Sequence, residues 1–243
     1  MTALSVNINK LALLRNSRGR NFPDLLHFSQ RFLAMGVHGI TVHPRPDERH
    51  IKFADLPALA ELVRHHDGAE FNIEGYPSEH FIRMVCETRP HQCTLVPDAD
   101  NQLTSDHGWE LHQHGDFLQD LIPRLQEKGI RVAIFLDPRP ELAELVARLG
   151  ADRIELYTES YAETFATKEQ QRITEQYRQT ALAAQQLGVG VNAGHDLDLL
   201  NLPDFLQIPD ILEVSIGHAL TVECIEQGME TVIRKYLQIC AGG

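Results

Sequence analysis

The chain has 243 residues, 43% hydrophobic and 23% charged, with a formal net charge of −12. This is ample apolar material for one large core and argues against disorder. The acidic balance, with no basic run to override it, opposes nucleic acid and anionic lipid as partners and leaves small molecules and other protein subunits.

Cys86, Cys93, Cys224 and Cys240 have neither metal-ligand spacing nor the density of a disulfide framework, which fits a reducing cytoplasm. The chain opens on no export signal, and no stretch approaches the ~20 apolar residues of a membrane helix.

In chain order, short apolar segments of strand length alternate with segments of helical period, and Gly, Pro or Asp stands at the joints. The first strand, over residues 4–9, places Asn7 and Asn9 on one face by the period of two. A loop over residues 16–24, carrying Arg18, leads to a helix over 24–35. The second strand, 39–43, runs into His43-Pro44-Arg45-Pro46-Asp47-Glu48-Arg49-His50, which sets proton-transfer groups beside anion-binding groups at one edge of the fold. A helix over 56–65 precedes the third strand, 70–74, whose Asn72 and Glu74 share a face directed inward, near His43.

A helix over 78–87 and a strand over 92–96 come next, then a loop over 97–116 rich in Asp, Asn, Thr, Ser and Gly, a composition that suits a mobile lid. Helices over 117–128, 141–149 and 168–187 alternate with strands over 131–137 and 153–157. Strands seven (190–192) and eight (212–216) run into Asn192-Ala193-Gly194-His195 and Ile216-Gly217-His218, and a last helix spans 222–237. Glycines there would let a phosphate approach backbone N–H groups closely.

Eight β-α units without a shift in composition predict an α/β protein: one (β/α)8 TIM barrel over residues 1–243, with extra helical segments. No Gly-x-Gly-x-x-Gly follows the first strand, so a dinucleotide-binding open sheet lacks its phosphate loop. In a barrel the active site lies at the C-terminal ends of the strands. His43 and Glu74 would form a proton-relay pair there, and the arginines an anion site. Each candidate has a plainer reading: His218 as a structural histidine, Glu74 as the partner of an interior arginine, Asp137 and Glu155 as structural carboxylates. His65, His66, His112 and His114 fall on surface segments. With no His-x-x-x-His or Cys-x-x-Cys spacing on one element, no metal is expected.

Thr41-Val42-His43-Pro44-Arg45 through His50-Ile51, Asn72-Ile73-Glu74, Asn192-Ala193-Gly194-His195 and Ile216-Gly217-His218-Ala219 together resemble the pyridoxine 5′-phosphate synthase family, in order and over nearly the whole chain. The resemblance implies a cytoplasmic transferase of vitamin B6 biosynthesis, a homo-octamer built as a tetramer of dimers, acting without a cofactor. It would condense 1-deoxy-D-xylulose 5-phosphate with 3-amino-2-oxopropyl phosphate to pyridoxine 5′-phosphate, phosphate and water. It further implies His43 and Glu74 as the acid/base pair and His195 as proton donor. Arg45, His50 and Thr104 would contact the deoxyxylulose phosphate. Asn7 and Arg18 would contact the amino-ketone phosphate, with Gly217 and His218 as its phosphate loop.

The chain departs from the family's commoner residues where Asn9-Lys10 replaces Asp-His, where Tyr157-Thr158-Glu159-Ser160 replaces His-Thr-Gly-Cys, and where Asp196 replaces glycine. Asn9, Lys10 and Asp196 are therefore substrate-contact positions of altered chemistry. Asp196 would oppose a phosphate unless its carboxylate turns away or pairs with a cation such as Lys10. Two other readings stand beside the synthase: an aldolase-like barrel with Lys10 as Schiff-base nucleophile, and a non-catalytic phosphometabolite-binding homologue.

Overall fold

The computed structural model describes residues 1–98 and 105–242. Its elements run β1 (Ala3–Asn7), α1 (Asn9–Asn16), α2 (Leu25–Ala34), β2 (Gly39–Val42), α3 (Leu56–Arg64), β3 (Glu70–Gly75), α4 (Glu79–Thr88) and β4 (Gln92–Leu95). They continue with α5 (Leu111–Gln126), β5 (Arg131–Leu136), α6 (Ala143–Leu149), β6 (Arg153–Tyr157), α7 (Glu159–Thr164), α8 (Gln170–Gln186), β7 (Gly190–Gly194), α9 (Leu202–Phe205), β8 (Ile211–Ile216), α10 (His218–Gln227) and α11 (Met229–Gly242). All strand pairs are parallel, and β8 returns to pair with β1, so the sheet closes as a (β/α)8 TIM barrel. Helices α1, α7 and α10 are additional to the one that each crossover requires.

The strands alternate as the barrel demands. Ile40, Val42, Ile73, Cys93, Leu95, Ile134, Ile154, Leu156, Val214 and Ile216 are wholly removed from solvent in the core. Burial of each such aliphatic side chain stabilises the fold by roughly 1.5–3 kcal/mol. The intervening positions point into the barrel and are polar: Ser5, Thr41, Asn72, Glu74, Thr94, Glu155, Asn192 and Glu213 are all buried. Their bonds cross the interior, as where Gln92 on β4 donates to Glu213 on β8 at 3.5 Å. Helix starts are set locally: Asp24 accepts from the amides of Leu26 and His27 ahead of α2, and Ser78 from Phe81 ahead of α4.

The structure corrects several expected boundaries. β1 ends at Asn7 rather than at residue 9, because the Asn7 side chain accepts the Asn9 amide at 3.0 Å and turns the chain into α1. Asn7 and Asn9 therefore do not share a strand face. The expected last helix is two helices, α10 and α11, parted at Gly228, whose φ of +87° no helix accommodates.

The proposed lid over 97–116 is mostly not a loose segment. Its last six positions belong to α5, and Trp109 is buried with its indole N–H on the Leu95 carbonyl at 2.8 Å. Gly108 lies flat on the end of β5, where a Cβ would come within 2.3 Å of the Asp137 amide. Residues 99–104, with Thr104 among them, lie outside the described residues. Among the described residues no helix is long and apolar enough to cross a membrane.

Candidate active site

The first three strands meet through a short polar relay at the C-terminal mouth of the barrel. The His43 amide donates to Asn9 Oδ1 at 3.0 Å, the Asn9 amide to Asn7 Oδ1 at 3.0 Å, and Asn7 Nδ2 to Glu74 Oε2 at 3.4 Å. Asn9 thus fixes the backbone of His43. The loop from Arg45 to His50 is held from α1: Asn16 Nδ2 donates to the His50 carbonyl at 2.7 Å, and Arg15 bridges that carbonyl and the Asp55 carboxylate. Arg15 and Asn16 escape sequence reasoning, because their role is visible only once residues 9–16 are seen as a helix.

His43 Nδ1 stands 3.9 Å from Glu74 Oε2, both buried. Burial, followed by the charges of Glu155, Glu213 and Asp98, raises the Glu74 carboxyl well above the usual range. Burial and then the neighbouring Arg45, His50 and His195 push His43 well below the usual imidazole value. Burial thus shifts both members toward their neutral forms, the carboxyl upward and the imidazole downward. Among the described residues no arginine bonds Glu74; its partners are Asn7, Asn72 and His43. Its described contacts are thus two side-chain amides and an imidazole rather than a guanidinium.

Two carboxylates that the strand-end reading did not favour complete the surroundings. Asp98 faces His43 Nε2 at 3.7 Å, and its Oδ2 accepts from Arg45 Nη2 at 2.6 Å and Ser105 Oγ at 2.8 Å, while the buried Oδ1 has no partner among the described residues. Burial raises its carboxyl despite Arg45. The sequence signal for Asp98 was its place just past strand four, which assignment to a mobile lid obscured. Glu155, set aside as structural, is buried on the barrel axis and accepts from Thr94 Oγ1 at 3.1 Å; the same hydroxyl reaches Asn72 Oδ1 at 3.2 Å. Burial and then the Glu213 charge push it up to about 7.

Half-buried His50 stands edge-on to His43, with ring centroids 6.5 Å apart. Burial and then Arg45, Arg49 and Lys10 lower it to about 4. Lys10 is an exposed residue of the first turn of α1, on the His50 side. Asp196 does not pair with it: Asp196 Oδ2 lies 2.6 Å from His195 Nδ1. The expected Lys10–Asp196 pair is corrected, because the carboxylate finds a cation-forming neighbour in the adjacent residue.

Gly194 belongs to β7, where a Cβ would meet the Ser215 carbonyl at 2.7 Å and Glu155 Oε1 at 2.9 Å. This glycine makes room for Glu155. Gly217 packs on Asn7 and precedes α10, whose first residue, His218, is exposed. Arg18 lies in an exposed turn after α1 and makes no side-chain hydrogen bond or ion pair among the described residues. The barrel mouth therefore gathers Asn7, Asn9, His43, Arg45, His50, Glu74, His195, Asp196 and Gly217; Lys10, Arg18 and His218 stand at its rim. Among the described residues no three His, Cys, Asp or Glu side chains are grouped as a metal site.

A closed parallel barrel whose C-terminal mouth pairs a buried carboxyl with a buried imidazole, each shifted toward its neutral form, defines a TIM-barrel enzyme of acid–base chemistry. Residues 4–242 match the family model described as pyridoxal phosphate biosynthesis protein PdxJ. The chain is 50% identical over 242 residues to the pyridoxine 5′-phosphate synthase of Agrobacterium fabrum, an alignment covering 98% of this chain and 96% of that protein. It is also 50% identical over 253 residues to the synthase of Xanthomonas campestris pv. campestris strain B100, covering 100% and 97%. The chain belongs to the pyridoxine 5′-phosphate synthase family of vitamin B6 biosynthesis. Among solved structures, a thiamine phosphate pyrophosphorylase from Pyrococcus furiosus shares the fold, with a TM-score of 0.64 at 11% identity over 99% of this chain and 96% of that one.

Proposed function

We propose that the chain condenses 1-deoxy-D-xylulose 5-phosphate with 3-amino-2-oxopropyl phosphate to give pyridoxine 5′-phosphate, phosphate and water, without a cofactor. The observation that carries this reading is the His43–Glu74 pair, 3.9 Å apart in a buried mouth that raises the acid and lowers the base. His43 accepts a proton from the substrate amine or the carbon beside its carbonyl, and Glu74 gives its proton to oxygen and later recovers one. His195 acts as proton donor from the opposite wall. Such groups each contribute about 10²- to 10⁴-fold.

Arg45, His50 and Thr104 take the deoxyxylulose phosphate. Asn7, Arg18, Gly217 and His218 take the amino-ketone phosphate at the start of α10, where unpaired backbone N–H groups favour an anion. Lys10 at the rim and Asp196 in the mouth act on the substrates indirectly, through His50 and His195. The aldolase-like reading needs a desolvated lysine, and exposed Lys10 is not one.

Residues 1–243 form one functional barrel unit in the cytoplasm, assembled as a homo-octamer. Support for assembly comes from the exposed apolar side chains Leu14, Phe22 and Ile225, 56%, 78% and 78% accessible, on or beside α1 and α10, two helices that touch. The test is to mix the two phosphorylated substrates with purified protein and follow phosphate release and pyridoxine 5′-phosphate together. Turnover is expected; binding without turnover would select the non-catalytic homologue, and a borohydride-trapped adduct on Lys10 the aldolase.

A further inference from the structure

His195 is restrained more than a surface histidine needs to be. It follows β7 with φ +86°, a conformation rare outside glycine. Its amide donates to the Ser215 carbonyl at 3.4 Å. Its ring meets the Tyr157 ring edge to face, with centroids 5.5 Å apart at 75°, and the Tyr157 hydroxyl is in turn tied to Glu159 Oε2 at 2.6 Å. Its Nδ1 lies 2.6 Å from Asp196 Oδ2.

Asp196 is itself fixed at both ends of its peptide. Its amide donates to Thr158 Oγ1 at 3.2 Å, and its carbonyl accepts from Asn201 Nδ2 at 3.1 Å. Thr158, wholly buried, is also bonded to the Gly194 carbonyl, so one hydroxyl ties the backbone on both sides of His195. The carboxylate is thus delivered to the imidazole by a rigid segment.

We propose that Asp196 is a positioning residue for His195. An ionised carboxylate only accepts hydrogen bonds, so a contact of this length places the proton on Nδ1 and assigns proton exchange to Nε2. The negative charge also stabilises the doubly protonated ring, the form a proton donor requires. The proposal rests on the reading of His195 as that donor.

In the step it serves, the amine nitrogen of a carbinolamine forms a C=N bond with its lone pair. The C–O bond breaks with its electrons on oxygen, and that oxygen takes the Nε2 proton and leaves as water. The ring stays neutral with Nδ1–H on Asp196, and regains a proton from solvent before the next cycle. The same contact disposes of the conflict between an acidic residue and a phosphorylated substrate, since the carboxylate charge is spent on the imidazolium rather than on the ligand.

The test uses the full chain with Asp196→Asn and Asp196→Gly, and His195→Asn as reference. Asp196→Asn keeps the shape and removes the charge. Its kcat should fall about 10- to 100-fold, short of the about 10²- to 10⁴-fold that an acid–base group itself contributes, with KM changed less than about threefold.

In nitrogen-15 spectra of the ligand-free protein, the His195 ring, assigned by its loss in His195→Asn, should be the Nδ1–H form in the wild type when neutral and a mixture of tautomers in Asp196→Gly. A variant that merely loosened the loop would lower kcat without changing the tautomer. An unchanged tautomer in Asp196→Gly, with His195→Asn inactive, would overturn the role of Asp196 and leave His195 as donor. Full activity of His195→Asn would overturn the reading of His195 itself.

Discussion

Two glutamates four residues apart on β3 point into the same barrel and are shifted in opposite directions by their surroundings. Half-burial alone would raise the Glu70 carboxyl, but hydrogen bonds and charge from Arg131 outweigh it and hold it below the usual range. Glu74, two inward positions further up, has amide donors from Asn7 and Asn72 at 3.4 Å and, among the described residues, no arginine bond, so burial raises it. The lower layer, where Arg131 meets Gln92 at 2.9 Å and Arg153 meets Glu213 at 3.1 Å, spends its polarity on internal pairing. The upper layer leaves polar groups underpaired, which is costly for folding and useful for moving protons. The difference lies in the partner supplied, not in the residue type.

The comparison breaks most visibly at its upper member. Glu74→Gln should keep the fold and phosphate binding yet lose about 10²- to 10⁴-fold in kcat, read in a phosphate-release assay beside a circular dichroism melt. A loss below tenfold would return Glu74 to the class of Glu70. At the lower layer the effect should fall on stability. Arg153→Met leaves the buried Glu213 carboxylate uncompensated, at a cost of about 3–5 kcal/mol, and adding Glu213→Leu should recover most of it in denaturant titration. Little change in kcat per folded molecule is expected from either.

Glu155 lies between the layers and sharpens the comparison through pH. Its folded value is raised, to about 7, so its contribution to stability is full below the ordinary glutamate range and is lost as pH rises through 7. Between those limits the native chain holds a proton that the unfolded chain has released, and stability should fall by up to about 1.4 kcal/mol per pH unit. Glu155→Gln should flatten that slope, measured as unfolding free energy from pH 5 to 8. An unchanged slope would mean that Glu155 is ionised in the native state.

These layers also mark what the sequence could and could not disclose. Barrel order is legible because short Val-, Ile- and Leu-rich runs alternate with helical periods, and Gly150 and Gly188, at φ +76° and +78°, end helices ahead of the next strand. His43 and Glu74 were legible because they end such runs. Asp98 and Glu155 were not, since their meaning depends on Arg45 and Thr94, residues distant in sequence brought across the barrel. Residues 9–16 were missed as a helix because Asn7, an apparent strand residue, turns the chain with its own side chain. The departures at Tyr157 and Asp196 looked unrelated in sequence, yet both touch His195.

The smallest expected effect concerns Lys10 and Asp196, which a charge argument from sequence pairs and the structure separates. Lys10 lowers His50 from the side of β2, whereas Asp196 is bonded to His195 beyond β7. Lys10→Ala should therefore raise the His50 value above about 4, seen in an imidazole titration, and leave the His195 resonances in place. Asp196→Gly should do the reverse. In a double-mutant cycle on KM for the two phosphorylated substrates, sites without shared partners add to within about 0.3–0.5 kcal/mol. A coupling of about 1 kcal/mol or more, diminishing with added salt, would require the two groups to meet in the liganded enzyme. Asp196 would then have to leave His195 as substrate arrives, and the barrel mouth would be a surface that rearranges around its ligands rather than one folded ready for them.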